Sequence, residues 1–364
     1  MELETFKKLP LGGVDRRSLV GLLKEKGPAA AEQVLASQRA ALSPAGIDLP
    51  DDVAVLILGG SNGITRALAA QLLFGEKVPV YGVHYDSAKM QIGGHHVAAM
   101  EKAAEEVGVA CGFFNRDATR DKTMTEVIEH LQAQKVRAVH VINGIAAGAT
   151  KRYEKHGPTK VRDLDVAFDP VLQVPAFDVP EAYRQLGLVD VDVDTEAEIE
   201  RTNKFMGHSS LAWVEPLAEA GLIAKGESII AFCDYDFEKN DPVYAMGPLA
   251  GAKILQRENM DLIAERYGVR TVRLCYPAMA TTALGAIPGG TLMYALTAQI
   301  LHEHGTYRSI EELAADTMPM WTSEGDEMRL DTAYRATLPE FHERKDALAP
   351  SDLPHVFSAL FPQR

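Results

Sequence analysis

Hydrophobic and polar positions alternate along this chain in blocks that switch between two periods. Val53–Leu58 is an unbroken apolar run, the pattern of a strand buried on both faces of a parallel sheet. Ile64–Phe74 follows with helical spacing. Val78–Tyr85 reads as a second strand closed by Asp86, Met100–Val107 as a helix, and Ala110–Phe114 as a third strand ending near Asp117. Thr123–Lys135 is helical, and Ala138–Asn143 is a fourth strand. The rhythm resumes later with strands at Glu227–Cys233 and Val269–Cys275, separated by a helix over Pro248–Tyr267. Helices over Thr291–His304 and Ser309–Thr317 follow. Strand and helix succeed one another at the spacing of βαβ units, which predicts an α/β fold with a doubly wound parallel sheet.

Three stretches fall outside that rhythm. Residues 1–50 read as an N-terminal helical arm: Ser18–Lys26 is a short amphipathic run ending at Gly27-Pro28, and the Ala-rich Ala29–Leu42 is a second helix. Residues 150–195, rich in Pro, Asp and Val, read as an insertion beside the site, with a small hairpin in it. Glu196–Ala220 is a long helical stretch expected to kink or break near Pro216. The expected organisation is therefore an arm (1–50), a catalytic domain (51–335) carrying the 150–195 insertion, and a C-terminal tail (336–364). Nothing beyond Thr317 has strand character.

Composition narrows the function classes. The 364 residues are 46% hydrophobic and 24% charged, with a formal net charge of -14. An acidic surface repels nucleic-acid phosphates and anionic lipid, so neither is an expected partner. The longest uncharged stretch, Leu274–Leu301, is interrupted by Pro277, Pro288 and Gly289-Gly290, and no membrane span is expected. The start of the chain lacks the basic and then apolar regions of a signal peptide, so the cytosol is the expected compartment. Cys111, Cys233 and Cys275 form neither a disulfide framework nor a zinc pattern. His95-His96 with Glu101 fits no standard ligand spacing, and no metal is expected.

The chemistry starts at Gly59-Gly60-Ser61-Asn62-Gly63, between a buried strand and a helix. Glycines there let the backbone turn tightly and approach a pyrophosphate, and the helix N-terminus opening at Ile64 offers N–H groups and a positive dipole end. The third small position is Thr65, whose hydroxyl is available for a phosphate. Asp86 ends the second strand 23 positions after Gly63, where an acid accepts from the ribose hydroxyls of an adenosine and repels a 2′-phosphate. That favours NADH over NADPH, although Lys89 lies close by. Asp117 with Ala118 is placed for the adenine, and Asn143 closes the fourth strand over the cofactor. A turn-cap role is the alternative for both Asp86 and Asp117.

Tyr244 and Lys253 follow the strand Glu227–Cys233. In short-chain reductases a Tyr donates a proton and a Lys lies near the nicotinamide ribose, usually four residues on. Here the spacing is nine, which on one helix would put them on opposite faces. Gly247-Pro248 resolves this: a helix starting at the proline leaves Tyr244 in the preceding loop and Lys253 in the second turn. A Lys close to the phenol would lower its pKa. Tyr235 is a second phenol within reach of a substrate carbonyl, and Thr281 is the hydroxyl placed to meet the cofactor after the sixth strand.

These residues resemble the single-chain trans-2-enoyl-CoA reductases, also described as a class of enoyl-ACP reductase: enlarged short-chain dehydrogenase relatives with a Tyr-x8-Lys signature and a Rossmann-type domain. The resemblance spans about residues 53–335. It is carried by Pro242-Val243-Tyr244 through Gly251-Ala252-Lys253, Glu198-Ile199-Glu200 through Met206-Gly207, Ala220-Gly221-Leu222, Thr281 with Ala286-Ile287-Pro288, and Met328-Arg329-Leu330-Asp331. It implies Tyr244 as proton donor with Lys253 as partner, Asp86 at a position whose acid favours NADH, and Asp117 on the adenine. The departures are Thr65, Gly94-His95-His96 in place of Gly-Trp-Tyr, Asp234-Tyr235 in place of a Ser-Tyr pair, an N-terminal arm in place of a Thr- and Cys-containing segment, and a shorter tail. The expected activity is NADH-dependent reduction of a trans-2-enoyl thioester on CoA or a carrier protein, by a monomer or small homo-oligomer. Carbonyl–alcohol oxidoreduction by the same two residues, and a non-catalytic dinucleotide sensor, stay open at this point.

Overall fold

The structure is a computed structural model that describes residues 3–9, 13–86, 90–146, 150–238, 241 and 243–353. The strands are β1 (Val53–Leu58), β2 (Val80–His84), β3 (Cys111–Asn115), β4 (Ala138–Asn143), β5 (Thr159–Val166), β6 (Tyr183–Val191), β7 (Ile229–Asp234), β8 (Arg270–Cys275) and β9 (Glu327–Arg329). The helices are α1 (Arg16–Ala40), α2 (Gly63–Ala70), α3 (Gly93–Val107), α4 (Asp121–Ala133), α5 (Glu196–Thr202), α6 (Ser209–Glu219), α7 (Pro248–Tyr267), α8 (Gly290–Glu303), α9 (Ile310–Thr317) and α10 (Thr332–Ala347).

Seven strands form one sheet in the order β3-β2-β1-β4-β7-β8-β9, parallel throughout. Every residue of β1, β2 and β4 is buried, as their unbroken apolar runs require. One face packs α2, α3 and α9 through Leu68, Met100 and Leu313. The other packs α4, α6 and α7 through Val127, Trp213 and Ile263. The strand order reverses between β1 and β4, so a crevice opens beyond their carboxyl ends, the usual ligand position in such sheets.

The 150–195 segment contains the antiparallel hairpin β5–β6. It packs on α8 and α10 as a separate core with Leu164, Leu186 and Leu296. Residues 3–9 run along its outer edge, where Phe6 N–H donates to the Leu188 carbonyl at 2.9 Å. Lys8 then reaches inward. Its ammonium is 2.6 Å from the fully buried Asp163 carboxylate and donates to the Leu284 and Ile287 carbonyls at 3.1 and 2.8 Å.

Three expectations need correction. The arm is one helix, not two. Leu19, Leu23, Gly27, Ala31 and Leu35 form a buried stripe four residues apart that runs straight through Gly27-Pro28. A Cβ at Gly27 would lie 2.5 Å from His95, so the glycine lets α1 close on α3. Pro28 removes one bond on an exposed face, which the packing outweighs. The break in Glu196–Ala220 falls at Asn203–Gly207, where the backbone loosens into a π-turn, and Pro216 lies inside α6. There Asn259 donates to the Gly207 carbonyl at 2.9 Å, and Gly207 leaves room for Leu255 of α7. Beyond Thr317 the chain does form a strand: β9 pairs with β8 as the sheet's edge, followed by α10. Three residues are too short to show a period-2 pattern.

Candidate active site

The crevice is built where β1 and β4 end. Gly59 has φ +90° and Gly63 φ +58°, backbone that favours glycine. A Cβ at Gly59 would lie 3.1 Å from the Gly144 backbone, so the two strand ends meet without side chains between them. Thr65 does not face the crevice. Its hydroxyl donates to the Gly59 carbonyl at 2.7 Å and the Asn62 carbonyl at 3.0 Å, and its methyl packs on Gly144. The room a third glycine would provide in α2 is provided instead by Gly144 on the opposite strand. The expected Thr65–phosphate contact is thereby corrected.

Asn62 starts α2 with no side-chain cap, and no acid stands in the first turn, which leaves the helix N–H groups for an anion. Ser61 is buried beside it, and Ile64 turns into the cleft described below. The Asp86 carboxylate comes from the end of β2 and packs, with the Ser61 hydroxyl, against Gly93 at the start of α3. Burial pushes its pKa up, opposed by the Gly94 N–H. Its Oδ2 makes no hydrogen bond within 3.5 Å among the described residues; His84 Nε2 lies 4.0 Å away, on an imidazole whose pKa burial lowers to about 4, which leaves the oxygen open to a ligand hydroxyl.

Asp117 is half-buried at the end of β3. Burial would raise its pKa, but the Thr119 N–H and hydroxyl, at 2.9 and 2.8 Å, and Arg120 hold it down. The Ala118 carbonyl accepts from Trp213 Nε1 at 2.9 Å. Asn143 faces away from the crevice: it donates to Ser209 and Ser210 of α6 at 2.7 and 2.8 Å and accepts from Ile145 N–H. It shapes the crevice through the Gly144-Ile145 backbone, not by a side-chain contact.

A cleft of about 260 Å³ at the end of β7 and β8 brings together Tyr244, Lys253, Tyr235, Thr281 and Ile64. The expected solution to the spacing holds: α7 starts at Pro248, Tyr244 lies in the turn before it, and Lys253 lies in its second turn. A Cβ on Gly63 would be 3.5 Å from Thr281 Cγ2, so the glycine loop and the segment after β8 close on each other.

The lysine does not act on the phenol as expected. Its ammonium donates to the Cys233 carbonyl at 2.6 Å and to Gln256 at 3.1 Å, and it lies 3.9 Å from Asp234. Burial lowers its pKa, opposed by Asp234. Tyr244 is shifted upward, first by burial and then by Asp241, whose carboxylate accepts from the Tyr244 N–H at 2.6 Å.

Tyr235 lies against Tyr244 with ring centroids 4.9 Å apart, and shares a 2.7 Å hydrogen bond with Tyr334 of α10. Burial also pushes the Tyr235 phenol up. Tyr334 and Lys8 were missed from the sequence. Nothing in a lone Tyr after an Asp, or a Lys near the start of a chain, signals a contact across 99 or 155 residues.

Asp234 is a structural hub. It is fully buried and bonds Arg257 at 2.8 Å and Arg273 at 2.5 Å, tying α7 to β8. His96 accepts from Arg66 at 2.8 Å, and His95 packs on α1. All three cysteines are free, with thiols pushed up to about 12, first by burial. Lys89 and Pro242 lie outside the described residues.

Residues 89–318 match the family described as the trans-2-enoyl-CoA reductase catalytic region. This chain belongs to that family. Among curated relatives of the reductase, the NADH-dependent enoyl-[acyl-carrier-protein] reductase of Edwardsiella ictaluri (strain 93-146) is 26% identical over 305 residues, covering 80% of this chain and 75% of that protein. The one from Xanthomonas campestris pv. campestris (strain 8004) is 25% identical over 351 residues, covering 92% and 84%. The trans-2-enoyl-CoA reductase of Clostridium acetobutulicum, solved with NADH, shares the fold with a TM-score of 0.77 at 18% identity, over 90% of this chain and 87% of that one. The Treponema denticola enzyme, solved with NAD, gives 0.72 at 17% identity over 98% and 92%. No helix among the described residues of this reductase is long and apolar enough to cross a membrane.

Proposed function

We propose that this reductase uses NADH to saturate the α,β double bond of a trans-2-enoyl thioester carried on CoA or a carrier protein. The observation that carries this is the single cleft in which Tyr244, Lys253 and Thr281 meet the end of the glycine loop. The crevice fits a dinucleotide: its glycine turn is free of side chains, its helix start is uncapped, and Asp86 Oδ2 makes no hydrogen bond among the described residues. Gly59, Ser61, Asn62, Gly63 and Ile64 would hold the pyrophosphate, with Asp86 on the adenosine ribose. Asp117 and Ala118 flank the adenine, Asn143 sets the floor through Gly144-Ile145, and Lys253 and Thr281 take the nicotinamide end. A buried carboxylate at Asp86 disfavours a 2′-phosphate.

The bound cofactor supplies a hydride, which the β-carbon of the substrate accepts. Negative charge then develops on the thioester oxygen. Tyr244 meets it as a hydrogen-bond donor, because burial and Asp241 keep its phenol protonated at neutral pH. Its hydroxyl also holds the proton that completes the α-carbon. Lys253, fixed to the Cys233 carbonyl, orients the ribose and does not activate the phenol. Tyr235, held by Tyr334, packs the donor ring in place. The three free thiols fit a reducing cytosol, and we place the enzyme there as a monomer or small homo-oligomer.

The test is a spectrophotometric panel: purified protein, NADH or NADPH, and trans-2-enoyl-CoA thioesters beside ketones and alcohols. Oxidation of NADH by enoyl thioesters, at least tenfold faster than of NADPH, is the expected result. Turnover of ketones or alcohols alone would assign carbonyl chemistry instead, and NADH binding without turnover on any class would assign a sensor.

A further inference from the structure

One wall of the catalytic cleft is a loop that is fastened by residues outside the cleft. Thr281, Ala283, Leu284, Ala286 and Ile287, between β8 and α8, line the cleft, and Thr281 closes on the glycine loop. Neither Lys8 nor Asp163 lines the cleft, yet both bond this loop. We propose that Lys8 and Asp163 are a positioning pair: they hold residues 281–289 closed over the nicotinamide end of the cofactor, so the start of the chain takes part in NADH binding. The inference rests on the NADH-dependent reading above and adds to it two residues outside the cleft.

Both charges are committed to the backbone of this loop. Asp163 comes from β5 and is fully buried. Its carboxylate accepts from the Gly289 N–H at 2.9 Å and the Leu292 N–H at 3.1 Å. The second of these is a donor that a helix normally caps with its own side chain, and Gly289, at the cap of α8, has none. Lys8 takes the other groups. Its ammonium donates to the Leu284 carbonyl at 3.1 Å, the Ile287 carbonyl at 2.8 Å and the Thr291 hydroxyl at 2.8 Å. It also compensates Asp163: burial raises the pKa of that carboxyl, and Lys8, 2.6 Å away, opposes the shift. The segment that carries Lys8 is built into the hairpin. Phe6 N–H donates to the Leu188 carbonyl, Leu188 N–H donates to the Glu4 carbonyl, and Gly187 has no Cβ to keep Glu4 and Phe6 away. Apolar side chains of similar size would hold the hairpin on α8 as well. A cation beside a carboxylate is needed to meet both the carbonyls and the N–H groups of the loop.

The experiment measures the Kd of NADH by fluorescence titration, and kcat and KM with NADH and a trans-2-enoyl-CoA, for the parent, Lys8→Met, Lys8→Arg and Lys160→Met. Lys8→Met should raise the Kd and KM for NADH by about tenfold. Asp163 adds to the upward shift of the Tyr244 phenol, but that phenol is protonated at neutral pH with or without Lys8, so kcat should move by less than about threefold. Lys8→Arg keeps the cation and should stay within about threefold of the parent. Lys160 bonds Thr5 of the same segment and pairs with Asp190, away from the loop, so Lys160→Met should match the parent. Hydrogen–deuterium exchange over residues 281–292 should quicken in Lys8→Met and not in Lys160→Met. If Asp163 left without its cation prevents folding, Lys8→Met combined with Asp163→Asn removes the buried charge and should show the same weakened NADH binding. A folded Lys8→Met or double variant with the parent's NADH affinity and exchange, or an equal loss in Lys160→Met, overturns the proposal. Absence of turnover on every enoyl thioester, with Lys8-dependent NADH affinity retained, would sink the reductase reading while leaving the role of the pair standing.

Discussion

Replacing Gly144 with Ala should damage the nucleotide crevice through one contact, and removing that contact should repair it. Gly144 does not have the positive φ that would itself forbid alanine, so the effect is steric. Its new Cβ would fall deep inside the Thr65 methyl, while Thr65 Cβ and Cys233 Sγ lie at an acceptable 3.5 Å. Overpacking of this kind costs about 1–3 kcal/mol. The strain falls on Thr65, whose hydroxyl fastens the Gly59 turn at 2.7 Å. NADH affinity should therefore fall with stability, by about tenfold for each 1.4 kcal/mol that reaches the loop. Thr65→Ala alone should cost about 1–2 kcal/mol, from a lost hydrogen bond and a lost methyl. In the double variant the two alanine methyls stand at the ordinary 3.5 Å, so the pair should cost at least ~1 kcal/mol less than the sum of the singles. Urea unfolding at constant m, with fluorescence titration of NADH, measures both effects. Additivity within about 0.5 kcal/mol would refute the idea that Gly144 stands in for the missing third glycine.

Three further outcomes follow from the same geometry. Asp86→Ser should raise the NADPH to NADH preference at least tenfold in kcat/KM; an unchanged ratio would remove Asp86 from cofactor selection. Asp234→Ala removes the buried carboxylate that joins Arg257 to Arg273, both of which keep Asp236 as a partner, and should cost about 1–3 kcal/mol in urea unfolding; a loss under about 0.5 kcal/mol would mean the hub is ornamental. His140 accepts from Ile229 N–H at 3.0 Å, and burial lowers its pKa to about 4. The unfolded chain takes up this proton near pH 6.5 and the folded one does not, so the stabilisation is complete above that pH and lost below it. By pH 5 the loss should reach about 2 kcal/mol. His140→Asn should flatten the acid limb of stability by that amount, and parallel limbs would count against it.

The sheet was readable because its central strands are buried on both faces, which leaves uninterrupted apolar runs such as Val53–Leu58. The glycine turn and Tyr244–Lys253 were readable because backbone geometry restricts residue choice: φ is positive at Gly59 and Gly63, and Pro248 opens α7. What escaped depends on packing between distant segments. Gly27-Pro28 reads locally as a stop, yet Gly27 is a contact with His95. Thr65 reads as a phosphate ligand until Gly144 is seen opposite it. Asp234 resembles a substitution at a catalytic position, and only Arg257 and Arg273 reveal its structural employment. The lysine–phenol coupling expected from chemistry is absent because Lys253 finds the Cys233 carbonyl first.

The most direct test of the account is Tyr244→Phe, assayed with NADH and a trans-2-enoyl-CoA substrate. The ring stays against Tyr235, so NADH binding and thermal stability should match the parent. With the proton donor gone, kcat should fall by about 10²–10⁴. A variant that binds NADH normally and turns over at the parent rate would contradict the assignment of Tyr244, and with it the proposed chemistry of the cleft.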